Sequence, residues 1–315
     1  MKPFLLGDIG GTNARFAMAE RDSIGPIERT HTADAPDFIS AVDAYLAPRG
    51  GRQAIAGAAF AVAGPVQDGR CVLTNNVWVV DQEALQRALG LPKVIVVNDF
   101  VALARSLPHL GQTDLVAVGG GGARAGGAAV VFGPGTGLGV ACLVPGRDGE
   151  VVIASEGGHA TLPAANDRQE SIIRYLRSRQ GHVSIERILS GNGLVALYQA
   201  ILAIDQVTAP EREAADITQR GLEGSCPVSR AALDMFCAFL GGVAGNLALT
   251  FGAQGGVYIA GGIVPRFADY LARTEFRRQF EAKGRFEAYL REIPTRVIIR
   301  PDATMIGLAA LLGRR

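Results

Sequence analysis

Cysteine is scarce and unpatterned in this sequence. The four present, Cys71, Cys142, Cys226 and Cys237, show no C-x-x-C pair and no other metal-ligand spacing, which excludes a disulfide framework and argues against a zinc site. Charge of one sign is lacking too. Lys and Arg total 31 against 30 for Asp and Glu, a formal net charge of +1, so no broad field attracts nucleic acid or an anionic membrane. Long apolar runs are also missing, because paired glycines or charges interrupt them before the roughly 20 residues a bilayer requires; no span is expected. The opening apolar run stops at Gly7-Asp8, too early for a secretory leader. The expectation is a cytoplasmic protein that binds neither nucleic acid nor membrane.

What is present is apolar content and glycine. With 48% hydrophobic residues in 315, the chain can bury one or two ordinary cores. Its 41 glycines gather in short blocks beside apolar runs, where backbone must turn sharply or approach a ligand closely.

The run 4–9, closed by Gly10-Gly11-Thr12-Asn13 and resumed at 15–19, reads as a β-hairpin. Strands are expected at 54–63, around 73 and 77–80, and at 94–97, with helical spacing at 82–89 and 99–107. The glycine-rich stretch 111–127 reads as a connection between two lobes. Residues 128–143 then repeat the opening design: a strand, the turn Gly133 to Gly139, and a second strand. Further helices are expected at 184–188, 194–204, 231–250, 266–273 and 306–312, and strands at 257–260 and 297–299, the tail returning to the first lobe. Two hairpins, each opening a βα-rich half, imply an architectural duplication with a cleft between related lobes.

The turn Gly7-Asp8-Ile9-Gly10-Gly11-Thr12 could be only a hairpin. Asp8 adds to it, because a carboxylate inside an apolar strand is costly to bury without a partner and so is expected to face water or a metal. Backbone amides of the glycine turn then cradle phosphate while Asp8 holds a hydrated Mg²⁺. The second turn lacks the Lys-Ser/Thr pair of a P-loop and leads into a strand, so it is not a Walker A motif. The G-x-G-x-x-A pattern at 120–125 is likewise followed by a strand where a dinucleotide site needs a helix. Thr136 and its neighbouring amides are better read as gripping a triphosphate from the other side. Asn98-Asp99, at a strand-to-helix junction, is either a helix cap or a pair at a ligand crevice. Glu156 and His159 share a glycine-freed loop, and Glu186 stands near an expected helix start, where it could merely complement the helix dipole.

The motifs GDIGGTNAR, NDF, GPGTGLG, EGGH, HVSIERILSGNGL and VYIAGGIVPRF together resemble the bacterial glucokinases of the hexokinase, heat-shock chaperone and actin superfamily, and the resemblance covers nearly the whole chain. It implies an α/β, two-lobed, actin-like ATPase (ribonuclease H-like) fold with a ligand cleft between lobes. Residues 1–108 plus about 298–315 would form the small lobe and 109–297 the large one, in a homodimer. It implies ATP-dependent phosphorylation of glucose at the 6-hydroxyl. Asp99 would be the general base, with Asn98, Asp99, Glu156, His159 and Glu186 on the sugar. ATP would be held by Gly7, Asp8, Ile9, Gly10, Gly11 and Thr12, by Gly135, Thr136 and Gly137, and by Gly261 and Gly262. A related kinase and repressor family carries a cysteine-rich zinc motif after the equivalent histidine; this chain reads HATLPAANDRQE there, which points to the branch without zinc. Three rivals remain: a sugar-sensing regulator on the same fold, an actin-like or chaperone ATPase, and a kinase for another hexose. The regulator needs a DNA-binding segment before the first hairpin, and the ATPase has no need of the five-residue sugar set.

Overall fold

The computed structural model describes residues 2–20, 23–73, 76–147 and 149–313. The chain divides into two compact units, Met1–Leu110 with Arg300–Arg315, and Gly111–Ile299. The outermost positions of the expected small lobe, 1 and 314–315, lie outside the described residues.

In the first unit β1 (Phe4–Ile9), β2 (Asn13–Glu20), β3 (Ser23–Ile24), β4 (Glu28–His31), β5 (Gly57–Val62) and β8 (Val94–Asn98) form one sheet, in the order β3-β2-β1-β5-β8 with β4 also on β2. The hairpin β1–β2 is antiparallel, whereas β1–β5 and β5–β8 are parallel. A separate pair, β6 (Arg70–Val72) and β7 (Val79–Asp81), and the helices α1 (Phe38–Leu46), α2 (Gln82–Leu89) and α3 (Asp99–Ser106) complete this part of the chain.

Alternation along the strands gives the sheet two different faces. One carries Leu5, Phe16, Phe60 and Val96, which pack with Phe38 of α1 and with Trp78. The other carries Leu6, Ala17, Ala59 and Ala61, packed against Ala102 of α3 and Met305 and Leu308 of α11 (Ala303–Leu311). Alanines on that face let two helices approach it. At Gly307 an added methyl group would overlap the carbonyl of Ala102, so α11 and α3 touch backbone to backbone.

The second unit repeats the plan. Its strands β9 (Leu115–Gly119), β10 (Ala129–Pro134), β11 (Leu138–Gly146), β12 (Gly149–Ser155), β13 (Gly256–Ile259) and β14 (Thr295–Ile298) run in the order β12-β11-β10-β13-β14-β9. The hairpin β10–β11 is again antiparallel and is again followed by two parallel neighbours, β10–β13 and β13–β14. The duplication expected from the two glycine hairpins is thus a duplication of strand order and direction. The helices are α4 (Asp167–Gln180), α5 (Gly191–Asp205), α6 (Ala214–Glu223), α7 (Pro227–Phe251), α8 (Ala268–Leu271), α9 (Phe276–Glu281) and α10 (Glu287–Glu292).

Three expectations are corrected. The stretch 111–127 is more than a connection, because Leu115–Gly119 pairs antiparallel with β14 and closes the edge of the second sheet. Residues 184–188 form consecutive tight turns instead of a helix: Arg187 N–H donates to Ser184 O, and Ile188 N–H to Ile185 O. The helix expected at 266–273 is only Ala268–Leu271, entered through a 3₁₀ turn at Val264–Phe267 that carries Pro265 in its first turn. The helix α7, by length and composition alone, is long and apolar enough to cross a bilayer. Most of its apolar length, including Leu233, Phe236, Leu240 and Val243, is packed in the core of the second unit.

Because Gly307 meets backbone, overlap there cannot be relieved by a rotamer change. Gly307→Ala should destabilise the protein by roughly 1–3 kcal/mol or more, the usual cost of overpacking. Urea unfolding at equilibrium measures it, and a midpoint equal to wild type would show that the helices separate freely.

Candidate functional site

The sequence-predicted residues fall in two groups, one in each unit. In the first unit they gather where the parallel strands end. The register pairs Ile9 with Val62 and Val62 with Asn98, so the carboxyl ends of β1, β5 and β8 are level, the position where ligands meet open α/β sheets. Asp8 shares a sheet face with Leu6, the face that α3 and α11 cover.

Asn98, rather than Asp99, caps α3: its Oδ1 accepts the Phe100 N–H at 2.9 Å, and its Nδ2 donates to Gly64 O at 3.0 Å. The capping role that sequence left open for the pair therefore belongs to Asn98. Asp99 is the first helical residue, and its Oδ1 also accepts from Phe100 N–H, at 3.0 Å. Burial pushes the Asp99 carboxyl up, and the nearby Asp8 charge pushes it further, to about 7, against the opposing hydrogen bonds from the Phe100 and Asp99 amides and the Asn98 side chain.

Asp8 has a partner that sequence reasoning missed. It is ion-paired with Arg15, directly opposite on β2, and only 14% of the Asp8 side chain is exposed. The hairpin register carried the signal, since residues equidistant from a β-turn face one another. Gly7 is a glycine for the core: a side chain would come within 2.7 Å of the Phe60 ring. Ile9 is fully buried, so both can meet a ligand only through the main chain. The turn between the strands is held by Gly10 N–H donating to Asn13 O. Its carbonyls are engaged by Thr32, whose N–H donates to Thr12 O and whose hydroxyl donates to Gly11 O, and by Asn76 Nδ2, which also donates to Gly11 O.

In the second unit, close backbone packing fixes the corresponding turn. A side chain at Gly133 would overlap the carbonyl of Ala260, and one at Gly261, where φ is +87°, would overlap the carbonyl of Pro134. The Gly133–Gly139 turn and the Gly261-Gly262 turn are thereby locked together at the ends of β10 and β13. Gly135 and Thr136, with Gly262, line an open pocket of about 1050 Å³ whose far wall is α6, through Ala214, Thr218 and Leu222.

Glu156, His159 and Glu186 come together through main-chain pairing of 158–162 with 183–186. Glu186 N–H donates to Gly158 O at 2.9 Å and Ile185 N–H to Ala160 O at 2.9 Å. Glu156 and His159 are exposed, with His159 Nε2 3.9 Å from Glu156 Oε2. The Glu186 carboxylate accepts the Leu138 N–H at 2.8 Å and occupies the space that a side chain at Gly137 would need. His159, Glu186 and Thr136 line a second cavity, of about 420 Å³. The structure thus joins one glycine turn to two carboxylates and an imidazole, a set that suits several hydroxyls beside a phosphate.

Among the described residues no cluster of three or more His, Cys, Asp or Glu side chains forms a metal cage. Asp8 fits Mg²⁺ in another way, since that ion usually keeps its waters and takes one or two carboxylates plus substrate phosphates. A cation beside Asp8 would also relieve the repulsion that raises Asp99.

A family model described as Glucokinase matches residues 5–315. The glucokinase of Paramagnetospirillum magneticum is 48% identical over 311 residues, covering 98% of this chain and 97% of its own length. The solved glucokinase of an Antarctic psychrotroph is similar at a TM-score of 0.90 and 36% identity, over 100% of both chains. A more distant ROK family glucokinase from Streptomyces griseus, solved in complex with glucose and AMPPNP, shares the fold at a TM-score of 0.64 and 21% identity over 98% of each chain.

Gly137→Ala should evict the Glu186 carboxylate from the Leu138 amide and cost about 1–3 kcal/mol, the penalty of leaving a polar group unpaired. A crystal structure of the variant with that hydrogen bond intact would refute the dependence.

Proposed function

The chain belongs to the glucokinase family and is an enzyme that phosphorylates glucose, and we propose that Asp99 is the base of the reaction, with ATP as phosphoryl donor and glucose 6-phosphate and ADP as products. The observation that carries this reading is the raised Asp99 carboxyl at a strand end. A base that titrates near neutrality is matched to taking a proton at physiological pH. Asp99 takes the proton of the 6-hydroxyl as that oxygen attacks the γ-phosphorus. Asn98 keeps the helix start rigid and, with Glu156, His159 and Glu186, hydrogen-bonds the remaining hydroxyls, which fixes the ring for attack.

The backbone of Gly10, Gly11 and Thr12 and that of Gly135, Thr136 and Gly137 serve the phosphates, and Gly261 and Gly262 serve the nucleoside. The pocket shared by Gly135, Thr136, Gly262 and α6 supports this, as does the AMPPNP bound by the Streptomyces protein. Asp8 holds Mg²⁺ through water; the ion, when bound, neutralises charge on the phosphoryl oxygens. No zinc takes part. A kinase for another hexose is the alternative, since the same side chains would bind its hydroxyls. On this reading the enzyme is a cytoplasmic homodimer that opens glycolysis and acts on small molecules alone, away from membrane and nucleic acid. Its four free cysteines suit a reducing compartment.

Asp99→Asn tests the base directly. Turnover should fall by roughly 10²–10⁴-fold, the usual contribution of general acid–base catalysis, while glucose affinity changes less. Wild-type kcat/KM should decline as pH drops below about 7, and this limb should vanish in the variant. The stability effect has the opposite sense. A carboxyl raised in the folded state contributes most below its ordinary value and loses that contribution as pH rises through about 7. Asp99→Asn should therefore be at least as stable as wild type at pH 8, by thermal melting. Turnover within about threefold of wild type, worth less than ~1 kcal/mol of transition-state stabilisation, would remove Asp99 from the mechanism.

Metal dependence gives a second check. A zinc-selective chelator should leave activity and melting temperature unchanged, whereas removing Mg²⁺ should abolish turnover and leave the fold intact. Unfolding on zinc chelation would overturn the assignment.

A further inference from the structure

Arg15 stands on the sheet face shared by Asp8, Ala17, Ala59 and Ala61, at the edge where α3 begins. Its guanidinium pairs with Asp8 through one nitrogen and donates from the other to Pro301 O at 3.2 Å. Pro301 precedes Asp302, whose carboxyl is lowered from its ordinary value chiefly by its bond to Arg300, with a lesser contribution from the Arg15 charge. Arg15 is therefore anchored from two sides, by Asp8 in the first hairpin and by the segment that enters α11.

Stability alone accounts poorly for such a pair. Replacing a buried ion pair with packed apolar groups is often neutral or stabilising, and the neighbouring positions of this face, Leu6, Ala17, Ala59 and Ala61, are apolar. Asp8 is more enclosed than the carboxylates of such arginine pairs as Arg52 with Asp43 and Arg168 with Asp205, at 14% exposed against 40% and 40%. A charge left unmatched beside Asp99 would therefore be costly, because Asp8 has little water to turn to.

We propose that Arg15 is a positioning residue for the phosphoryl end of the reaction. It holds Asp8 fixed at the carboxyl edge of the sheet, so that the magnesium nucleotide meets a pre-oriented carboxylate. Its second anchor at Pro301 keeps the guanidinium in place if Asp8 turns toward the metal. A planar fork suits this double contact better than a point charge. The inference rests on the reading of Asp8 as the carboxylate that serves the magnesium nucleotide.

The test compares Arg15→Met, Arg15→Lys and Asp8→Asn for kcat, glucose affinity, melting temperature, and calorimetric affinity for AMPPNP with and without Mg²⁺. For Arg15→Met we expect kcat and the magnesium-dependent gain in AMPPNP affinity each to fall roughly tenfold or more, while glucose affinity stays within about twofold. Arg15→Lys should recover part of both losses, and it decides the matter if the methionine variant fails to fold. Arg15→Met with a lowered melting temperature but unchanged magnesium-dependent binding and turnover would make Arg15 purely structural and overturn the proposal. If Asp8→Asn also binds and turns over like wild type, the underlying reading of Asp8 fails. If Asp8→Asn is impaired and Arg15→Met is not, only the role of Arg15 fails.

Discussion

The first unit depends on a contact between two backbones. Where α11 crosses α3, Gly307 lies against the carbonyl of Ala102, and no larger residue allows the helices to meet at that distance. The alanines of the sheet face beneath them, Ala17, Ala59 and Ala61, serve the same close approach. This packing brings the last residues of the chain back onto the first sheet, and it sets the direction in which α3 leaves β8. Asp99, the first residue of that helix, has its position decided by groups that carry no charge at all.

Electrostatics then acts on a geometry already settled. Asp8 and Asp99 come from the ends of parallel strands in one sheet, and the Asp8 charge makes Asp99 harder to ionise. The fold resolves this unequally. Asp8 receives Arg15, whereas Asp99 receives the amide of Phe100 and the support of Asn98. One carboxylate is matched by a full charge and the other by dipoles, a division that suits the roles proposed for them, cation holder and base.

Much of this could be read from residue order. The two glycine hairpins, the run Val94–Asn98 leading into α3, and α2 appear close to where periodicity and turn chemistry place them, because each is decided by neighbours within a few positions. Leu115–Gly119 escaped notice because its stability comes from pairing with β14, some 180 residues later (295 against 119), and glycines on its far side look like linker. The turns at 184–188 imitate a helix for a related reason: Ile185, Ile188 and Leu189 are spaced as on one helical face, yet the amides of Ile185 and Glu186 are claimed by the carbonyls of Ala160 and Gly158. Arg15 was legible in principle, since the hairpin register alone sets it opposite Asp8. The lodging of Glu186 against Gly137 was not, because nothing local connects positions 49 residues apart (186 against 137).

That last contact limits how the protein can diverge. Gly137 belongs to the turn assigned to the phosphates and Glu186 to the set assigned to the sugar, yet the carboxylate fills the volume that a side chain on the turn would take. A lineage drifting toward a different phosphoryl donor by adding bulk to the turn would disturb its acceptor site in the same step. A lineage shortening Glu186 to admit another sugar would leave a gap beneath the turn. With the roles proposed for these two residues, the two preferences are coupled, and bulk added at Gly137 calls for a compensating change at Glu186.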